Sequence, residues 1–132
     1  MNRCCLFFYP TAAIASEHMD FEILEEYGGV YLSSDGEHVH YYHTWDDGYR
    51  SLIRCRRCGA LFLKQFSEYH NMRGGDDCYY TDFYPVASRE EALLFNEKYD
   101  GFSLEKAYTG MRITNNYTGT QDQWYWNKQS EE

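Results

Sequence analysis

A succession of short extended segments separated by turn residues constrains the fold more than any other feature of the chain. Residues 30–34 and 37–44 flank Asp35 and Gly36. An Asp-Gly pair between alternating segments is the strongest short-range signal for a two-residue hairpin turn. The pattern therefore predicts an antiparallel hairpin, the unit from which an antiparallel sheet is built.

The same pattern of extended segments and turns continues toward the C-terminus. Asp47-Gly48 separates the first hairpin from the next segment, and the turn from Cys55 to Gly59 separates that segment from its neighbour. Pro85 marks an edge or the end of a later segment, because proline cannot donate to a strand ladder. The further predicted strands are residues 49–55, 60–66, 79–86, 112–115 and 123–126.

The N-terminal region predicts a strand followed by a helix. Residues 4–9 form an apolar run ended by Pro10, which is typical of a buried strand. After Thr11 or Ser16, Met19, Ile23 and Tyr27 recur at helical spacing before two glycines. We therefore expect a helix that ends at Tyr27.

A second helix is predicted by its capping residues. Ser88 and Glu91 stand three residues apart as a capping box, in which each side chain satisfies a free backbone N–H of the other. Ala92, Phe95 and Tyr99 form an apolar stripe, and residues 103–108 predict one more helical turn.

These elements predict the α+β class: an antiparallel meander of about four to six strands with two main helices packed on it. A chain of 132 residues falls in the size range of one domain with one core. We expect residues 1–126 to form that single domain and residues 127–132 to form a loose polar tail. No apolar stretch approaches the length needed to span a membrane.

The charge of the chain disfavours nucleic acid as a direct partner. Twelve Lys and Arg against 21 Asp and Glu give a net charge of −9. Nucleic-acid binding is driven by clustered cations, and the chain has one short basic run, at residues 54–57. An acidic protein instead attracts basic partners.

The cysteine count favours a reducing compartment. The five cysteines are an odd set in a chain too long to need disulfides. Residues 1–15 imitate a signal peptide only loosely, because Pro10 and Thr11 interrupt the apolar region. We therefore predict reduced thiols and a cytoplasmic location.

Two of these cysteines form the sharpest local motif. The segment Cys55-Arg56-Arg57-Cys58-Gly59 resembles the knuckle of zinc ribbons and rubredoxin-like sites. In such a knuckle a tight turn points both sulfurs at one tetrahedral ion. The second CxxC motif of the full pattern is missing. The nearest substitutes are His70 and Cys78, so the predicted ligands of one structural zinc are Cys55, Cys58, His70 and Cys78.

Three alternative interpretations of the cysteines and histidines stay open. Cys55 and Cys58 could be a redox dithiol, although that chemistry requires the first cysteine at a helix N-terminus. They could equally be two ordinary reduced cysteines at the end of a hairpin. His38 and His40 share one face of a predicted strand and could form a metal pair, but such histidines are more often plain polar positions.

Acidic and aromatic residues occur together at two places. The first group is Trp45, Asp46 and Asp47, and the second is Asp76, Asp77, Tyr79, Tyr80 and Asp82. Carboxylates accept bidentate arginine, and flat amphipathic rings are enriched at protein interfaces. We therefore predict that these residues bind a basic protein partner.

Small size, strong acidity, abundant tyrosine and the lack of familiar catalytic signatures resemble the bacterial immunity proteins that neutralise polymorphic or contact-dependent toxins. This is a resemblance of type with no shared motif. It implies that the acidic surface occludes a basic, nuclease-like cognate toxin and that the protein is not an enzyme. The alternatives are a zinc-ribbon-like accessory module and a small hydrolase or nuclease that uses the histidines.

Overall fold

The computed structural model describes residues 4–29, 47–70, 77–99, 103–117 and 121–127. Its centre is one six-stranded antiparallel sheet in which the strands follow one another in chain order. The strands are β1 (Phe21–Gly29), β2 (Asp47–Cys55), β3 (Leu61–His70), β4 (Asp77–Val86), β5 (Arg112–Tyr117) and β6 (Asp122–Asn127). The predicted α+β meander is confirmed.

Four short helical elements accompany the sheet in the described residues. They are a 3-10 helix (Cys5–Phe8), α1 (Ala12–Ser16), α2 (Arg89–Lys98) and α3 (Ser103–Ala107). Ser88 caps α2 as predicted, because the Glu91 amide donates to Ser88 Oγ at 3.1 Å. The return bond differs from that of the predicted capping box: Glu91 Oε1 accepts from the Ala87 amide, one residue before the cap, at 2.6 Å. The predicted helical turn after residue 102 is α3.

Both N-terminal predictions are wrong. Residues 4–9, expected as a strand, contain the 3-10 helix, and the expected helix through Tyr27 is replaced by the five-residue α1 and by strand β1. The register of β1 on β2 shifts between Ile23 and Glu25 and again between Glu26 and Gly28. Each shift is a bulge that inserts one extra residue, so β1 lacks the strict two-residue alternation by which a strand is recognised in a sequence.

One face of the sheet is covered by residues 4–20, which we call the N-terminal segment. Leu6 and Ala15 are fully buried there against Ile53, Phe62 and Ile113 of the sheet. The Phe7 ring packs against those of Phe62 and Trp126, at centroid distances of 6.3 and 5.3 Å. This segment closes one of the two hydrophobic clusters formed by the described residues.

The opposite face is covered by α2 and α3. Ala92 and Leu104 from these helices pack with Leu52, Leu63 and Tyr84 of the sheet. Buried polar groups also lie on this face of the sheet. Arg50 is fully buried, where its Nε donates to Gln65 Oε1 at 2.7 Å and its Nη1 donates to the Tyr99 carbonyl at 2.6 Å.

Several sequence predictions lie outside the described residues. These are the hairpin around Asp35 and Gly36, the histidine pair His38 and His40, and the candidate partner-binding residues Trp45, Asp46 and Asp76. Among the described helices, none is long and apolar enough to cross a membrane.

The core position of Phe62 gives a test of this arrangement. Phe62 is fully buried and contacts Phe7, Phe21 and Phe83. Phe62→Ala is expected to lower the free energy of unfolding by about 3–5 kcal/mol, because it removes a buried ring and leaves a cavity. Urea denaturation measures the change. The control Leu94→Ala removes a side chain that is 56% exposed and should stay within about 0.5 kcal/mol of the parent. Equal losses in both variants would contradict the core assignment.

Candidate metal centre

The turn between β2 and β3 holds Cys55 and Cys58 in a tight loop. The Cys55 amide donates to the Ala60 carbonyl and the Gly59 amide donates to the Cys55 carbonyl, both at 2.8 Å. Gly59 has φ +83°, in the left-handed region that only glycine adopts without strain. The glycine that follows the second cysteine therefore lets the chain turn back into β3.

The N-terminal segment brings two further cysteines to this turn. Cys4 is the N-cap residue of the 3-10 helix and Cys5 is its first residue. The Sγ atoms of Cys4 and Cys58 are 3.5 Å apart, and those of Cys5 and Cys55 are 3.8 Å apart. All four Sγ atoms lie within 4.8 Å of one another. The structure thus assembles a four-thiol cluster, Cys4, Cys5, Cys55 and Cys58, called here the cysteine cluster.

The spacing within the cysteine cluster suits a tetrahedral ion. Four sulfurs at about 2.3 Å from a central zinc stand about 3.8 Å apart along each edge of the tetrahedron. The Cys4–Cys58 and Cys5–Cys55 sulfur distances of 3.5 and 3.8 Å are close to that value. A disulfide has its sulfurs at about 2.05 Å, and all four cysteines are free.

A salt bridge and a backbone hydrogen bond fix the turn beside the start of β1. Arg56 Nη1 lies 2.9 Å from Asp20 Oδ1, and the Arg56 amide donates to the Asp20 carbonyl at 2.8 Å. The backbone also reaches the sulfurs: the Cys5 amide donates to Cys58 Sγ at 3.4 Å and the Leu6 amide donates to Cys4 Sγ at 3.5 Å. Such N–H groups stabilise negative charge on sulfur.

The thiols of the cluster differ in acidity. Partial burial works to raise the pKa of Cys58, but backbone hydrogen bonds from Cys5 and Ala60 and side-chain hydrogen bonds from neighbouring thiols outweigh it and lower that pKa to about 7. Burial raises the pKa of Cys5 to about 11 and that of Cys4 further still. Of these three thiols, Cys58 is therefore the most acidic.

The cluster has a buried side and an open side. Cys4 and Cys55 are 3% and 0% exposed, whereas Cys58 is exposed. Cys55 ends strand β2, so the pair does not open a helix as a thioredoxin-type dithiol would.

The structure does not bring the other two predicted ligands to this turn. His70 is the last residue of the 10-residue strand β3, and its backbone pairs with Asp77. Cys78 pairs with Tyr69 at the same place. At about 3.3 Å per residue, this end of the sheet lies roughly 30 Å from the Cys55–Cys58 turn.

Cys4 and Cys5 were missed because they stand about 50 positions from the knuckle. One signal was available in the sequence. Two adjacent cysteines had no assigned role, and the knuckle supplied only two of the four ligands of the full zinc pattern. Sequence spacing cannot connect them, since their approach depends on how the N-terminal segment crosses the sheet.

The predicted partner-binding residues divide between different environments. Asp82 is 6% exposed and accepts a hydrogen bond from Thr114 Oγ1 at 2.7 Å, with Arg112 Nε at 3.4 Å. Asp82 is therefore a buried residue of the helical face and is not part of a binding surface. Tyr80 is half-buried.

Tyr79 belongs to a row of stacked rings that crosses four strands. Tyr49, Phe66, Tyr79 and Tyr117 follow one another at centroid distances of 5.2, 6.0 and 6.0 Å, with interplanar angles between 21 and 27°. Tyr49 and Tyr117 are 43% and 41% exposed. We call these four residues the aromatic row. It lies on the same face as the N-terminal segment, toward the other end of the strands.

Acidic residues accumulate at that end of the sheet. The backbone pairs there include Asp47 with Glu68, His70 with Asp77 and Tyr117 with Asp122. Asp122 is exposed, as is Glu26 on the neighbouring part of β1. The aromatic row therefore stands beside strand ends of acidic composition.

Comparison with protein-family models, curated proteins and solved structures found no match for this chain.

The different acidities of the thiols can be measured by alkylation. In metal-free, reduced protein, iodoacetamide is expected to modify Cys58 before Cys4 and Cys5, because only the thiolate reacts. Its rate should rise with pH through about 7, the pKa of Cys58, and Cys5 should follow only near its pKa of about 11. Mass spectrometry of tryptic peptides after timed labelling measures both rates. A Cys58 rate that rises only near pH 9.0, the ordinary thiol value, would contradict the described environment.

Proposed function

We propose that this chain is a non-catalytic binding protein whose N-terminal segment is fixed to the sheet by one structural zinc ion at Cys4, Cys5, Cys55 and Cys58. The observation that carries the proposal is the approach of four Sγ atoms to within 4.8 Å of one another. Two of these thiols come from the N-terminal segment and two from the β2–β3 turn. An ion held by all four would join parts of the chain that are distant in sequence.

Zinc is the ion that this donor set favours. Four thiolates in tetrahedral arrangement are typical of structural zinc, and zinc adds no redox chemistry of its own. The N–H groups of Cys5 and Leu6 that point at sulfur would stabilise the charge of the four-thiolate site. Arg56 and Arg57 within the knuckle add positive charge nearby.

A structural role agrees with the number of protein ligands. Catalytic zinc keeps one coordination position for water or substrate, whereas four protein ligands close the site. The ion would hold Leu6 and Ala15 over the sheet cluster that contains Phe62 and Ile113. In that role the metal contributes directly to folding free energy.

The zinc proposal predicts one ion per chain and loss of that ion when a buried ligand is replaced. Protein purified without chelator should contain about one zinc per chain by plasma mass spectrometry. Cys4→Ser and Cys55→Ser are each expected to remove most of the metal and to lower the melting temperature, because three ligands hold zinc more weakly than four and binding is coupled to folding.

Cys78→Ser provides the matched control, since the backbone of Cys78 lies at the opposite end of the sheet. It should retain the zinc and the melting temperature of the parent. Metal loss in Cys78→Ser, or full zinc occupancy in Cys4→Ser, would contradict the assignment of the ligands.

A second candidate function concerns the partner. The aromatic row beside acidic strand ends favours the binding of a basic protein, as the resemblance to toxin immunity proteins implies. Tyrosine rings with exposed edges are typical of interface hot spots. The acidic residues of the neighbouring strand ends would speed the association with a positively charged partner. In this account Tyr79 and Asp77 belong to the surface and Asp82 does not.

This candidate predicts salt-sensitive binding to a basic toxin encoded beside this gene. Asp77→Lys is expected to slow association, and Tyr117→Ala is expected to speed dissociation, because rim charges govern capture and packed rings govern release. Surface plasmon resonance in rising salt measures both rates. Glu17→Lys makes the same charge change on an exposed residue of the N-terminal segment and should alter association less. Equal effects of the two lysine variants, or binding indifferent to salt, would exclude this surface.

A further inference from the structure

Two sulfur pairs of the cysteine cluster lie within 4 Å of each other and join the N-terminal segment to the β2–β3 turn. Cys4 Sγ lies 3.5 Å from Cys58 Sγ, and Cys5 Sγ lies 3.8 Å from Cys55 Sγ. Bond formation at about 2.05 Å would require the sulfurs to approach by about 1.5 and 1.8 Å. Both pairs are therefore near bonding distance across the same junction that the metal would hold.

Exposure determines which pair an oxidant meets first. Cys58 is exposed, and its close neighbour Cys4 is buried behind it. Cys5 is half-buried and Cys55 is fully buried. A small oxidant that reaches Cys58 from solvent finds a second thiol within 3.5 Å, and this arrangement favours a disulfide over further oxidation of a single sulfur.

We propose that the cysteine cluster is an oxidative modification site, at which a peroxide replaces the metal by two disulfides, Cys4–Cys58 and Cys5–Cys55. The part that concerns metal release rests on the zinc site proposed above. Because each disulfide crosses from the N-terminal segment to the turn, the oxidised protein keeps the segment in place without the ion.

The chemistry balances with one peroxide per disulfide. The Cys58 thiolate attacks one peroxide oxygen, the O–O bond breaks, and a sulfenic acid and hydroxide form. The Cys4 thiolate then attacks the Cys58 sulfur, the S–S bond forms and a second hydroxide leaves. Both hydroxides take protons from solvent to give water. Two thiolates have lost two electrons, the peroxide has gained them, and zinc departs because two of its four ligands no longer donate to it. A second peroxide oxidises Cys5 and Cys55 in the same way.

The experiment uses full-length, zinc-loaded protein carrying Cys78→Ser, so that only the four cluster thiols remain. Hydrogen peroxide is added, zinc release is followed with a chromophoric chelator, and the intact mass is recorded. The expected result is release of the bound zinc and a loss of about 4 Da, since each disulfide removes two hydrogens. Dithiothreitol should restore the mass and, with added zinc, the metal.

Trypsin distinguishes disulfides that join the N-terminal segment to the turn from a disulfide within the turn. It cleaves after Arg54, Arg56 and Arg57 and thus separates Cys55 from Cys58, while Cys4 and Cys5 stay together. The proposed pairing yields one product in which the N-terminal peptide is joined to both cysteine peptides of the turn. A Cys55–Cys58 disulfide instead joins the two turn peptides to each other and overturns the proposal. Disulfide-linked dimers, or sulfinic acid at Cys58, overturn it as well.

Two double substitutions show whether Cys4 or Cys5 bonds to Cys58. In the same Cys78→Ser background, Cys5→Ser with Cys55→Ser leaves the 3.5 Å pair, Cys4 and Cys58. Its matched control, Cys4→Ser with Cys55→Ser, leaves Cys5 and Cys58. The first variant should lose about 2 Da faster than the second at equal peroxide. The reverse order would contradict the pairing.

Failure of this inference can be distinguished from failure of the zinc proposal. Protein that binds no zinc but forms both cross-links with peroxide would refute the metal site and support the modification site. Protein that binds one zinc and keeps it in peroxide, with no loss of mass, would support the metal site and refute the modification site.

Discussion

The meeting of four thiols at the β2–β3 turn is the interaction on which the proposed arrangement depends. The sheet supplies Cys55 and Cys58 on a tight turn, and the N-terminal segment supplies Cys4 and Cys5. That segment covers one of the two hydrophobic clusters, whereas helices α2 and α3 cover the other. In our account a metal at this junction stabilises the half of the protein that lacks a long helix.

The sheet could be predicted from local patterns, because strands and turns leave local signals. Alternating segments, the glycine after Cys58 and the capping box at Ser88 each identified an element that the structure contains. The N-terminal region misled the prediction for a physical reason. Met19, Ile23 and Tyr27 recur at helical spacing, two bulges interrupt the alternation of β1, and pairing with β2 outweighed the local pattern.

Only two of the four cysteines of the cluster could be predicted from the sequence. The knuckle is a local motif that identifies Cys55 and Cys58, but the approach of Cys4 and Cys5 depends on the path of the chain across the sheet. His70 and Cys78 follow the knuckle in sequence, yet an extended 10-residue strand carries the chain away from the turn. The burial of Asp82 could not be predicted either, because it depends on the strand register that places Asp82 beside Arg112 and Thr114.

The most direct test of the central claim is X-ray absorption spectroscopy at the zinc edge on the purified, reduced protein. The account predicts a first shell of four sulfur atoms at about 2.3 Å with no nitrogen or oxygen ligand. In the Cys4→Ser variant, any zinc that remains should have lost a sulfur. A first shell with nitrogen or oxygen in the parent protein, or one unchanged by Cys4→Ser, would contradict the four-cysteine site.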